Sequence, residues 1–94
     1  MIFDDNTYGV VNWADVILAD EEAAKYVSGI AFHWYSNNNS TDAVLDTLHK
    51  KHPEYFLLNT EACVLKPPIY GSWDWAEKYA FDIIRVSLSR ISKD

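Results

Sequence analysis

Three clusters carry the residues with chemistry to offer: Asp4-Asp5-Asn6, His33-Trp34-Tyr35 and Thr60-Glu61-Ala62-Cys63. Each ends or follows an apolar run, and in α/β folds functional groups collect at the carboxyl ends of parallel strands. Two clusters hold carboxylates and one holds a histidine beside two large aromatics. Cleavage of a glycosidic bond needs these residue types. One carboxylate attacks the anomeric carbon, a second carboxyl group protonates the leaving oxygen, and aromatic faces hold the ring.

Each of these residues also has a purely structural reading. Glu61, at a strand end, can be a surface or salt-bridged residue. His33 lies inside an apolar run, which on pattern alone favours a hydrogen-bonded core histidine. Cys63, the one cysteine, reads as a buried small hydrophobe, since no paired His-Cys spacing makes a zinc site. Asp4 and Asp5 read as caps for the segment that follows. Asn38-Asn39-Ser40 and Asn39-Ser40-Thr41 form two overlapping glycosylation triplets. Serine nucleophile elbows, glycine-rich phosphate loops and helical His-Glu-x-x-His motifs are all missing from the sequence.

The elements that must position these groups follow from hydrophobic patterning. Met1-Ile2-Phe3 reads as the tail of a buried strand. Trp13 to Ala19 carries Trp13, Val16, Ile17 and Leu18 as an apolar helical face. Asp20 caps a second helix through Val27, with acidic residues in its first turn and Gly29 as the C-cap. Gly29 to Tyr35 reads as a buried strand, and residues 36–40 as a loop. Thr41 caps a helix to about His49, with Val44, Leu45 and Leu48 on one face and Pro53 stopping it. Tyr55 to Asn59 reads as a second complete apolar strand, followed by a loop holding Pro67, Pro68 and Gly71. Ser72 caps a long helix from Trp73 to Ile91, with Ala76, Tyr79, Ala80, Ile83 and Ile84 as its core face. Apolar strands alternating with amphipathic helices imply a parallel α/β sheet covered on both sides, in one block without repeats or linkers.

Composition narrows the classes. The 94 residues can hold one small domain, against about 250 for a complete (β/α)₈ barrel. The net charge of −6 and the scattered Lys and Arg offer no basic stripe, which argues against nucleic acid as a partner. Apolar runs fall far short of the ~20 residues that span a bilayer, and no signal-peptide pattern opens the sequence. A three-stranded parallel sheet would leave both edges open, which points to a piece of something larger.

At particular residues the pattern stops being generic. The stretch Asp20-Glu21-Glu22-Ala23-Ala24-Lys25-Tyr26-Val27-Ser28-Gly29-Ile30-Ala31-Phe32-His33-Trp34-Tyr35 closely resembles a segment of glucosylceramidases (acid β-glucosidases). Thr60-Glu61-Ala62-Cys63 and Gly71-Ser72-Trp73-Asp74 do so too, at similar spacing, and Phe3-Asp4-Asp5-Asn6 and Asn12-Trp13-Ala14 match more loosely. The resemblance covers nearly the whole chain in order.

It implies a fold class and a site. The fold implied is α/β, a partial (β/α)₈ TIM barrel running from the end of strand five through helix seven, about three of the eight β/α units. The activity implied is retaining hydrolysis of the β-glucosidic bond of glucosylceramide, with no metal or organic cofactor. Glu61 is the nucleophile by this resemblance. Tyr35 sits beside it, Trp34 and His33 build the pocket wall, and Asn6 lies near the rim. Lysosomal or secretory localisation, an acidic activator protein and anionic lipid follow from the same resemblance.

The chain departs from that pattern in two ways. The acid/base Glu of the family lies in an Asn-Glu motif upstream of Met1, and this sequence has no Asn-Glu dipeptide. The eighth strand and an appended β-domain should follow the last helix. The isolated chain is therefore expected to be inactive and poorly soluble. Two other readings compete: a β-glycosidase of other sugar specificity, and a truncated non-catalytic paralogue or gene remnant.

Overall fold

The computed structural model describes residues 1–67 and 69–91; Pro68 of the predicted loop and the terminal Ser92, Lys93 and Asp94 lie outside them. The chain divides into two compact units, Met1–Ala62 and Cys63–Asp94. The first unit holds β1 (Ile2–Asn6), α1 (Val10–Leu18), α2 (Glu21–Ala24), β2 (Gly29–His33), α3 (Thr41–Lys51) and β3 (Phe56–Glu61). The second holds α4 (Asp74–Ile91).

The strands form one parallel sheet in the order β1-β2-β3. Its centre is β2, where Ile30, Ala31 and Phe32 are fully buried, as expected of a parallel strand covered on both faces. The outer strands do not meet the expectation of full burial. In β3 only Leu57 is buried, and Phe56 and Leu58 are exposed, because β3 pairs with a single neighbour and only alternate residues turn inward. β1 is likewise only partly covered.

The first helix begins earlier than its pattern suggests, after Gly9, whose φ of 79° lies in the left-handed region that glycine enters freely. That start rotates the buried stripe. Val10 and Ala14 are fully buried with Ile17 and Leu18 partly so, an i, i+4, i+7, i+8 series. The predicted face fails at Trp13, 59% exposed, and Val16, 75% exposed. Asp20 caps α2 as read: its Oδ1 accepts from the backbone N–H of Glu22 at 2.9 Å and of Ala23 at 3.1 Å. The helix stops at Ala24 rather than Val27, so Gly29 is not its C-cap but the first residue of β2. Glycine is required there for space. A Cβ at that position would lie 2.4 Å from the Phe56 ring.

Helix α3 runs to Lys51, two residues beyond the expected end, and places His49, Lys50 and Lys51 at the negative end of its dipole. Leu45, Leu48 and Thr41 are buried on its inner face. Thr41 is the first helical residue rather than the cap, and its Oγ1 accepts from the Asn38 backbone N–H at 2.9 Å. In the second unit, Ser72 Oγ accepts from Asp74 N–H at 3.2 Å at the start of α4, consistent with its predicted role. The predicted apolar face of α4 is largely exposed at Ala76, Ala80, Ile83 and Ile84, while Asp82, which pairs with Lys78 at 3.2 Å, is buried.

Candidate active site

The carboxyl ends of the three strands hold Asp4, His33 and Glu61, all within the first unit. Two irregularities in the ladder bring their side chains together. Between β1 and β2 the pairing steps from Phe3–Ala31 to Asp5–Phe32, which leaves Asp4 as an extra residue. Between β2 and β3 it steps from Phe32–Asn59 to His33–Glu61, which leaves Thr60 extra. Such bulges twist a strand and re-aim its side chains, and they recur beside active sites. On β1 the bulge holds two non-glycine residues at positive φ, Phe3 at 77° and Asp4 at 56°. Conformations of this kind cost about 1–3 kcal/mol each and persist where surrounding contacts impose them.

Those contacts are visible. Thr60 Oγ1 donates to Asp4 Oδ1 at 2.6 Å, and the same oxygen lies 3.1 Å from His33 Nε2. The Thr60 hydroxyl, and after it the His33 hydrogen bond, hold the Asp4 carboxyl below the usual aspartate range. The other ring nitrogen of His33, Nδ1, lies 3.8 Å from Glu61 Oε2. The imidazole thus stands between two carboxylates. In its neutral form it can donate through one nitrogen, and as imidazolium through both. His33 is mostly enclosed, with 13% of its side chain exposed, whereas the Glu61 side chain is 56% exposed and open to an incoming molecule.

Backbone contacts fix the remaining residues. The Trp34 N–H donates to the Glu61 carbonyl at 3.2 Å, which ties the residue after β2 to the end of β3. Trp34 is buried, and the half-exposed Tyr35 ring meets the His33 ring edge-on at 6.1 Å. Asn6 pairs in register with His33, and its buried Oδ1 has no hydrogen-bond partner among the described residues.

Sequence reasoning placed Glu61, His33, Trp34, Tyr35 and Asn6 at one end of the sheet, and the structure puts all five there. It corrects two structural readings: Asp4 does not cap the next segment but holds His33, and Cys63 is exposed rather than buried. Asp5 Oδ1 does accept from the backbone N–H that follows it, that of Asn6, at 2.6 Å. Thr60 belongs to a cluster quoted from the sequence but was given no role of its own, because no residue pattern marks a parallel-sheet bulge. Among the described residues, no group of three or more His, Cys, Asp or Glu is placed to hold a metal ion.

Parallel strands alternating with helices make this an α/β chain, and a histidine and carboxylates gather at the strands' carboxyl ends, where α/β barrels carry their functional groups. A family model described as the glycosyl hydrolase family 30 TIM-barrel domain matches residues 1–92, and the chain belongs to that family. A Caenorhabditis elegans protein named as a glucosylceramidase is 47% identical over 89 residues, covering 90% of this chain and 17% of that protein. The lysosomal acid glucosylceramidase of Mus musculus is 39% identical over 90 residues, covering 89% of this chain and 18% of that protein. Among solved structures, SrfJ from Salmonella typhimurium superposes with a TM-score of 0.79 at 32% identity, covering 92% of this chain and 19% of SrfJ. The chain thus spans less than a fifth of the length of these relatives.

Proposed function

We propose that this segment supplies the nucleophile of a retaining β-glucosidase site that hydrolyses glucosylceramide to glucose and ceramide. Glu61 attacks the anomeric carbon, and the observation that carries this reading is its exposed carboxylate beside an enclosed His33 at the sheet's carboxyl end. The family match and the glucosylceramidase names of its relatives support the substrate.

Each neighbour has a part to play. His33 orients Glu61, and Asp4 with Thr60 orients His33. Trp34 and Tyr35 wall the pocket, while the unpartnered Asn6 Oδ1 is an acceptor for a sugar hydroxyl. Asp4 is unsuited to be the general acid, because its neighbours hold it ionised and an acid must carry a proton at working pH. We therefore assign that role to a carboxyl group outside these 94 residues, on barrel strands that complete the domain. The 94-residue chain alone then lacks general-acid help, typically worth about 10²–10⁴-fold, and is expected to be inactive. Lysosomal delivery through the secretory route, supported by the mouse relative's name, completes the reading, along with anionic lipid and an activator protein as partners.

A chimera tests this assignment. With this segment in place of the matched 90 residues of the mouse enzyme, glucosylceramide hydrolysis should persist. Glu61→Gln should then lower kcat by about 10⁴–10⁶-fold, the scale of losing a nucleophile. Full activity of that variant would refute the role of Glu61. Faster turnover of another β-glycoside in a substrate panel would refute the sugar assignment.

A further inference from the structure

Residues 34–40 join β2 to α3 and hold both candidate asparagines; the triplet of Asn38 ends in Ser40, and that of Asn39 in Thr41, the first residue of α3. Its base is pinned. Thr7 Oγ1 lies 3.2 Å from Ser36 Oγ and donates to Asn37 Oδ1 at 3.4 Å, and the Asn37 N–H donates to the Trp34 carbonyl at 2.8 Å. The two candidate acceptors differ in what they already do. Asn38 Oδ1 accepts from Ser40 N–H at 2.8 Å, and Asn38 Nδ2 donates to the Ser36 carbonyl at 3.2 Å. Asn38 N–H is in turn bound to Thr41 Oγ1. Asn39 is exposed, and its side chain makes no hydrogen bond among the described residues.

We propose that Asn39 is an N-glycosylation site and that Asn38 is not. The triplet of Asn39 ends in Thr41, whose branched Cβ restricts χ1 and so presents its hydroxyl in fewer orientations than Ser40 does for Asn38. Folding then tolerates the two products differently: the loop forms around a glycan on Asn39 with no hydrogen bond displaced, whereas one on Asn38 substitutes the nitrogen that donates to Ser36.

The transfer step uses a lipid-diphosphate-linked oligosaccharide. Asn39 Nδ2 attacks C1 of the first sugar and gives up one proton to a base of the transferase. The new Nδ2–C1 bond forms as the C1–O bond breaks, and lipid diphosphate leaves with the electron pair. This inference rests on the secretory route proposed above, since donor and transferase lie there.

The test uses the 94-residue chain behind an added secretion signal in insect cells, followed by enzymatic deglycosylation in H₂¹⁸O and mass spectrometry. Transfer occurs on the emerging chain, so poor folding does not mask the result. The expected outcome is one glycan per chain with the ¹⁸O mark on residue 39, kept in Ser40→Ala and lost in Thr41→Val. An unmodified chain, or a mark on residue 38, overturns the inference and leaves the location untouched. Protein from its native source that lacks the glycan, alongside a marked residue 39 in insect cells, overturns the location alone.

Discussion

Thr60 Oγ1 donates to Asp4 Oδ1 at 2.6 Å, and both residues are the extra members of bulges on the strands that flank β2. The bond therefore bridges the outer strands across the end of the central one, next to His33. A bulge at either place alone would leave one of these side chains without its partner. Together they form a brace that holds the imidazole from one side, with its other nitrogen 3.8 Å from Glu61 Oε2.

That brace adds an acid-sensitive contribution to the first unit. Asp4 is held below the ordinary aspartate value of 3.8, chiefly by Thr60 and then by His33. A depressed folded value means a contribution to stability that is present above the unfolded value and lost as pH falls through the folded one. Carboxyl ¹³C titration should show the Asp4 midpoint rising in Thr60→Val and, by less, in His33→Gln. An unmoved midpoint in Thr60→Val would show that the hydroxyl bond does not form in solution.

Asp15 should behave in the same way at a separate place. It joins α1 to the end of α3 through Lys51 and through His52, whose Nε2 lies 2.8 Å from Asp15 Oδ1. Lys51 first, and then His52, depress its pKa. The sign is that of Asp4, so Asp15→Asn should destabilise the chain above pH 3.8 and progressively less below it. Thermal melts of both proteins between pH 3 and pH 7 check this; a constant difference would rule out the ion pairs as its source.

Gly29→Ala is expected to cost about 1 kcal/mol, because the new methyl group meets the Phe56 ring, which is half exposed and must swing aside. Phe56→Ala should relieve most of that cost, a coupling that a double-mutant cycle in denaturant reads directly. Additive losses would mean that the clash lies elsewhere.

In the mouse chimera, Asp4→Asn should lower kcat by about 10²-fold with little change in KM, since a displaced His33 disturbs the attacking group more than the bound sugar. A loss confined to KM would make Asp4 a binding residue instead.

The strand–helix order was legible in the sequence because apolar runs and capping residues are local signals. Asp20 before two glutamates and Ser72 before α4 show this well. Burial on the outer strands and on α4 was not legible, because it depends on what lies against them. Phe56, Leu58, Ile83 and Ile84 read as core and are exposed. The clustering of Glu61 and His33 followed from strand ends alone. The support by Asp4 and Thr60 did not, because a bulge depends on backbone pairing across strands and leaves no residue pattern.

Thr41 ties two constraints to one codon. Its hydroxyl accepts from Asn38 N–H at the start of α3, and it is also the third residue of the Asn39 triplet. Serine is the one other residue that can keep both the turn and the triplet. Alanine or valine would remove both at once, so inherited variation at this position should be almost confined to a threonine–serine exchange.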